Sequence, residues 1–432
     1  SSSGAIVSNI THPDLGITQI QFANGVYLNL KPTDFKVNEV QAALSFGAGR
    51  MSQPISQPGL AELSEAVVNA SGLGALDKEA LSTALAGTNT EVDFRVAEDR
   101  FVFEGYTVSK HVERLFQLLY AHLEDPAFRT EAFALSTKRL QQQFKSYSGS
   151  VEGHLRLHGF RFLAGGDSRI GFPHPSEWQV LTREHVVDWI GRALEHAPLE
   201  LAVVGDFDPE EIVALAARYF GTLKPRPDWQ HPLPTPGPRF PYSQTREFEV
   251  ATKIPKGLVA VAYATDDFWD IHRTRRLAVL ADVLSDRLRI GIRDEKGASY
   301  SPFAFSRASR AYTGYGFLQT YIQVAPKSTA MIVQAVKGIV ADMAAQGITD
   351  EELRRAVDPI LTGLKDLRRS NAYWLDSVMA CSSRHPQQLE WSRTILDDYA
   401  AVTSADLMAL VQTYLKNDQA AVMTFFPAAD QH

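Results

Sequence analysis

The chain has 432 residues, 45% of them hydrophobic and 22% charged, with a formal net charge of -7. That length exceeds one ordinary core, so two or more domains are expected, and the composition excludes disordered and collagen-like classes. The basic residues are dispersed, with no Lys/Arg run to track phosphates, which argues against a nucleic-acid partner; the lone Cys381 excludes an internal disulfide framework and a cysteine metal site.

In chain order, Gln19–Leu30 alternates and turns at Asn24-Gly25, two residue types that tolerate positive φ, and so predicts a first hairpin. Val37–Phe46 then alternates into a core. The run from Gly59 holds Leu60, Leu63 and Val67 at helical spacing. Phe101–Val108 reads as a strand ahead of the amphipathic helix His111–Leu123. His154 and His158 stand four residues apart, a zinc-like spacing on a helix. Gly153 and Gly159 flank them and no carboxylate lies between, so ordinary surface or interface histidines is the preferred reading. Leu181–Ile190, with Thr182 as N-cap, leads into the apolar strand Leu199–Val204.

Seven prolines then fall between Pro225 and Pro241. Such a stretch cannot donate ladder hydrogen bonds and favours extended chain, so residues 225–244 are read as a linker between a first domain, 1–224, and a second, 245–432. The second repeats the first. Strands Glu247–Ala251 and Leu258–Ala264 precede a helix with Leu277, Leu280 and Leu284 in the places of Leu60, Leu63 and Val67. Phe317–Val324 and the helix Ser328–Met343 follow, then the helix opening at Val402-Thr403 and the strand Ala420–Phe426. The offsets stay near 217–221 residues, a repeat of domain size. The fold class expected is α+β: two similar domains related by internal duplication, each an antiparallel-rich mixed sheet covered by helices.

Gly72-Leu73-Gly74 and Gly314-Tyr315-Gly316 read as turns, being too short for nucleotide-binding loops. Tyr312, Tyr315 and Tyr321 make the second an aromatic-lined edge or simple hairpin packing. No GxSxG elbow is present, and Cys381 lacks the signature of a nucleophile. No apolar run reaches the roughly 20 residues of a membrane span. The opening Ser1-Ser2-Ser3-Gly4 lacks the features of a signal peptide and reads as an internal start.

The stretch Arg287-Leu288-Arg289-Ile290-Gly291-Ile292-Arg293-Asp294-Glu295-Lys296-Gly297-Ala298-Ser299-Tyr300-Ser301 resembles a segment of the insulinase/pitrilysin-type zinc peptidases, roughly RLxxxLREKxGxxYS. Phe22-Ala23-Asn24-Gly25-Val26 and Val203-Val204-Gly205-Asp206-Phe207 add to the likeness, which runs over most of the chain. Catalytic members carry HxxEH, whose two histidines share one helical face and one metal ion. In Gly59-Leu60-Ala61-Glu62-Leu63-Ser64-Glu65-Ala66, Glu62 and Ala66 stand at the histidine positions and only Glu65, at the general-base position, matches. The family's third ligand is a glutamate on a later helix, where Leu140-Gln141-Gln142-Gln143-Phe144 has no acid. The resemblance therefore implies two insulinase/mitochondrial-processing-peptidase-like domains, without zinc or another cofactor in this chain. It is most like the C-terminal, non-zinc-binding half of long bacterial members.

By that resemblance Arg293 and Tyr300 hold the substrate backbone, and their donors support charge on the former carbonyl oxygen for a zinc-bearing half. That partner half belongs to the same polypeptide or to a separate subunit, and the substrates are peptides. Without the surrounding match, Arg293 reads as paired with Asp294 or Glu295 and Tyr300 as packed in a strand. Long bacterial relatives are commonly exported, so the periplasm is expected, with the cytoplasm as alternative. The rival function is a non-proteolytic scaffold or binding subunit of the same superfamily. A third reading, a hydrolase with another metal site, requires tightly held zinc in the isolated protein.

Overall fold

Residues 4–228, 236–293 and 302–428 are described by a computed structural model, and they build two sheets. The first contains β1 (Ile6–His12), β2 (Ile17–Phe22), β3 (Tyr27–Pro32), β4 (Val40–Phe46), β5 (Glu91–Val96), β6 (Phe101–Thr107) and β7 (Leu199–Gly205), in the order β1-β2-β3-β7-β4-β6-β5. The second contains β8 (Thr245–Val250), β9 (Gly257–Ala264), β10 (Phe303–Ala308), β11 (Gly316–Val324) and β12 (Ala421–Pro427), in the order β10-β11-β9-β12-β8.

Without β1 and β2 the two orders coincide strand for strand. In each, one parallel pair, β3 with β7 or β8 with β12, interrupts an otherwise antiparallel sheet. The registers repeat as well. Phe46 faces Phe101 in the first sheet, and Tyr263 faces Leu318 in the second, both members displaced by about 217 residues. The α+β duplication expected from spacing is thus present in the hydrogen-bond ladders.

Two local details differ from expectation. β1 is an additional strand, mostly exposed, whose polar alternation gives little signal of a core face. The connection at Asn24-Gly25 is a four-residue loop, with Gly25 at φ +88° and its N–H donating to the Phe22 carbonyl at 2.9 Å. Asn24 instead anchors this loop, donating from Nδ2 to the carbonyls of Phe220 (2.8 Å) and Leu223 (3.2 Å). Its side chain is required elsewhere, so the tight two-residue turn does not form.

The described residues group into two compact units: 4–140, 178–228 and 364–395, and 141–177, 236–363 and 396–428. Each unit contains a segment from the other half of the chain, so the packing does not follow a single cut at the proline-rich stretch. In the first unit, α1 (Leu60–Ser71) and α3 (Val112–Glu124) bury Leu63, Val67, Leu115 and Phe116; between them runs the short α2 (Lys78–Leu85). Phe46, Phe94, Phe101 and Phe103 form an aromatic cluster with centroids 5.1–6.4 Å apart. The second core joins Leu277, Leu280, Leu284 and Leu288 of helix Ile271–Arg293 to Val259, Val261, Leu318 and Ile322. Residues Pro326–Gln346 are long and apolar enough to cross a membrane by length and composition. Ile332, Val336, Val340 and Met343 of this stretch form a buried stripe against the second core, while most of its other residues are half-buried or exposed.

The opposite face of each sheet is covered by a short π-helical segment. Tyr373–Met379 lies on the first sheet, packing Trp374, Leu375 and Met379 near Ile17, Ala43 and Val204. Leu155–Gly159 lies on the second, where a Cβ on Gly159 would come within 3.2 Å of Met423 Sδ and 3.3 Å of Phe425 Cζ. A larger residue there would press on both side chains. Polar side chains fix the first of these segments: Glu200 Oε1 accepts from Asn29 Nδ2 and from the Ser383 N–H, both at 2.7 Å, and Arg384 Nε lies 3.8 Å from Glu200 Oε2.

Candidate functional site

The α1 helix starts after Gly59, whose φ of +88° lets the chain turn into it. No N-cap side chain is available, and Gln53 Oε1 accepts the Ala61 N–H at 2.9 Å instead. Leu60, Leu63 and Val67 point into the core, which leaves Glu62, Glu65, Ala66 and Asn69 on the half-buried flank. Each polar member of that flank has a partner. Arg50 Nη1 lies 2.5 Å from Glu62 Oε1. Glu65 Oε2 accepts the Val96 N–H of β5 at 2.8 Å, and burial pushes its carboxyl pKa up. Ala66 contributes a methyl group where the family motif has an imidazole.

Two carboxylates remain at metal-like positions, one facing a guanidinium and the other bound to a backbone N–H. A divalent ion would meet the Arg50 charge at once and would find no nitrogen ligand. The region of the family's third ligand offers no compensation. On α4 (Thr130–Ser148), Leu140 is buried and Gln143 donates to the Tyr147 hydroxyl at 2.9 Å. Among the described residues, no group of three or more His, Cys, Asp and Glu side chains is placed to hold a metal.

Asn69 carries a feature that sequence reading missed. It donates from Nδ2 to the Phe94 carbonyl at 2.7 Å and accepts the Phe94 N–H on Oδ1 at 2.8 Å. Phe94 belongs to β5, the last strand of its sheet, so one amide side chain stands in for the missing neighbouring strand. The second unit repeats the device. Ser285 Oγ accepts the Ala304 N–H of the edge strand β10 at 2.8 Å, while its single proton is shared between the Ala281 carbonyl of its own helix at 2.8 Å and the Ala304 carbonyl at 3.2 Å. Phe94 faces Phe103 and Ala304 faces Thr320, so the two clasps occupy corresponding positions. No spacing in the sequence connects a helix residue with an edge residue that far away, and the signal was not legible there.

The segment singled out by sequence is described only in part. Helix Ile271–Arg293 ends at Arg293, whose side chain lies outside the described residues, as does Tyr300. The helix end is nevertheless firmly set. Leu288 and Ile292 are fully buried, and Arg287 reaches Glu352 Oε1 with Nε (2.6 Å) and Oε2 with Nη2 (3.0 Å). That fork holds the Glu352 pKa down at about 2. Beyond the undescribed residues β10 begins, and Phe303 stacks on Tyr321 of β11 with centroids 4.9 Å apart.

Other residues marked in the sequence resolve as follows. Tyr312 and Tyr315 are buried, and the Tyr315 hydroxyl donates at 3.0 Å to the carbonyl of Leu163 in the helical segment Phe160–Leu163, which ties the turn to a helix outside the hairpin. Cys381 is buried at φ +62°, and burial pushes its thiol pKa up, away from the thiolate a nucleophile needs. His154 and His158 do come together, with ring centroids 5.2 Å apart, but His158 also stacks nearly flat on Phe248, with 10° between planes. Burial, followed by the neighbouring basic groups, lowers the His158 pKa to about 4.

Residues 181–359 match the family model of the peptidase M16 inactive domain. The chain is 22% identical over 459 residues to the chloroplastic stromal processing peptidase of Arabidopsis thaliana, covering 94% of this chain and 36% of that protein. It thus spans little more than a third of that relative. The periplasmic protease PqqL from Escherichia coli superposes with a TM-score of 0.83 at 17% identity, over 98% of this chain and 47% of that one. A peptidase M16 inactive domain from Pseudomonas fluorescens gives 0.81 at 16%, over 96% and 99%.

Proposed function

We propose that this chain, which belongs to the insulinase/pitrilysin (M16) superfamily through its inactive domain and its fold, is the catalytically incomplete half of a zinc peptidase. It closes a chamber around an extended peptide and grips it through Arg293 and Tyr300, while a zinc-bearing half, in the same polypeptide or in a separate subunit, performs hydrolysis. Peptides are the substrate class under this reading. The observation that carries it is the α1 flank, where Arg50 faces Glu62, Glu65 is bound to β5 and Ala66 has no donor atom. A carboxylate base with no metal-bound water beside it has nothing to activate.

The fixed end of helix Ile271–Arg293 supports the assignment of Arg293, because the Arg287–Glu352 fork one turn earlier leaves the last turn little freedom. The proposed mode of peptide binding is strand addition at a sheet edge. The clasps limit where it operates: Phe94 has both edge groups paired and Ala304 has its N–H paired, so a peptide strand must pair beyond them or displace a side chain. The periplasm is kept as the proposed compartment; PqqL is a periplasmic protease, whereas the stromal peptidase is chloroplastic.

The test compares peptide cleavage by the chain alone with cleavage after joining it to its zinc-bearing half, using wild type, Arg293→Ala and Tyr300→Phe. No cleavage alone, cleavage on combination, and a loss of roughly tenfold or more in kcat/KM in both variants is expected. Activity equal to wild type in both variants removes the gripping role and leaves the scaffold reading. Cleavage and stoichiometric zinc in the isolated chain overturn the whole assignment.

A further inference from the structure

The histidine pair that resembled a zinc site borders a pocket of a different character. His158, three arginines (Arg161, Arg239 and Arg246) and the rings of Phe162 and Phe248 line a cavity of about 470 Å³ in the second unit. Three lining residues are arginines and none is an acid, in a chain of net charge -7. A metal ion is therefore repelled from His158, whose own ring is held neutral against Phe248.

The arginines are arranged for an oxyanion. Arg246 lies over two rings, with Cζ 5.8 Å from the Phe162 centroid and 5.7 Å from that of Phe248. Cation–π contact of this kind restrains the guanidinium beside the aromatic wall, and the exposed Arg246 side chain can still present N–H groups to a ligand. Arg161 binds Glu177 through Nη1 at 2.7 Å, yet its buried Nη2 has no hydrogen-bond partner. A buried donor left unpaired is unfavourable, and a bound acceptor would satisfy it. Strand β8 keeps acids away by its alternation, since Arg246 and Phe248 share one face while Glu247 and Glu249 take the other.

We propose that this pocket binds an oxyanion, a carboxylate or phosphate group, carried by an apolar or aromatic body. The guanidinium rims supply bidentate donors to the anion, and Phe162 and Phe248 supply the apolar wall. The site is independent of Arg293 and Tyr300 and stands or falls separately from the peptidase reading.

The test is calorimetric titration of the intact chain with N-acetylphenylalanine, its neutral amide, and inorganic phosphate, repeated on Arg239→Gln/Arg246→Gln. Both arginines are exposed, so the double variant keeps the fold, which circular dichroism checks. The carboxylate is expected to bind, the amide at least tenfold more weakly, and the double variant to lose tenfold or more. Carboxylate binding with weak phosphate binding assigns the source as a peptide or acyl carboxylate; equal phosphate binding that the variant abolishes assigns it as a free small oxyanion. Equal affinity for acid and amide, unchanged affinity in the double variant, or no anion binding at all overturns the proposal.

Discussion

The two units apply one plan to different ends, and the helix that follows the opening strands of each shows where they diverge. In both, this helix buries an apolar stripe and clasps the edge strand with one polar side chain, Asn69 on Phe94 or Ser285 on Ala304. α1 stops at Ser71, with Glu62 and Glu65 bound to Arg50 and β5. Its counterpart runs from Ile271 to Arg293 and delivers the segment that carries the family resemblance. Duplication has preserved what keeps a sheet edge closed and has let the chemistry-bearing positions drift. An unpaired edge invites pairing with other chains, so the clasp is under structural demand in both units.

The largest expected effect tests how each covering segment is fixed. Arg384→Ala leaves Glu200, whose side chain is 1% exposed, without its compensating charge, and should destabilise the first unit by about 3–5 kcal/mol. In the second unit the Lys256–Glu152 pair beside the covering segment is about one-third exposed, and Lys256→Met should cost below about 1 kcal/mol. Denaturant midpoints of the two variants measure the contrast, and equal losses would break it.

The clasps come next. Asn69→Ala abandons two hydrogen bonds at Phe94 and should cost about 1–3 kcal/mol, with faster amide exchange at Phe94 itself. Ser285→Ala should cost about 1 kcal/mol and speed exchange at Ala304. Unchanged exchange at either residue would mean that the edge is closed by something else.

Acid should separate the units further. The Glu352 pKa is held at about 2, below its unfolded value, so its contribution is fully present above about pH 4.5 and is lost as pH falls toward 2. After allowance for solvent it is on the order of 1–2 kcal/mol, and Arg287→Met should flatten that part of the stability profile. Glu200 has the opposite sign: burial raises its pKa, so its ionisation opposes folding as pH rises.

The smallest expected effect is none. Glu62→His with Ala66→His rebuilds the spacing of HxxEH around Glu65, yet the Arg50 charge and the acid-free Leu140–Phe144 region remain. Zinc content by elemental analysis should stay near zero. Stoichiometric zinc in that variant would show that two histidines are all the first unit lacks.

The strands, the duplication and the lapse of the metal motif were legible because each depends on periods of two, 3.6 or about 217 residues along the chain. A missing imidazole needs no coordinates to be noticed. Glu200 is the one acid in the apolar run Leu199–Val204, and the sequence pattern does not say what meets it. Tertiary structure alone decided that Arg384 meets it, that Asn69 and Ser285 close sheet edges, that Asn24 anchors a loop, and that His158 borders a cavity of arginines. These contacts join residues tens to hundreds of positions apart. They exist because burial favours the pairing of polar groups in space, and local pattern carries no information about which partner is near.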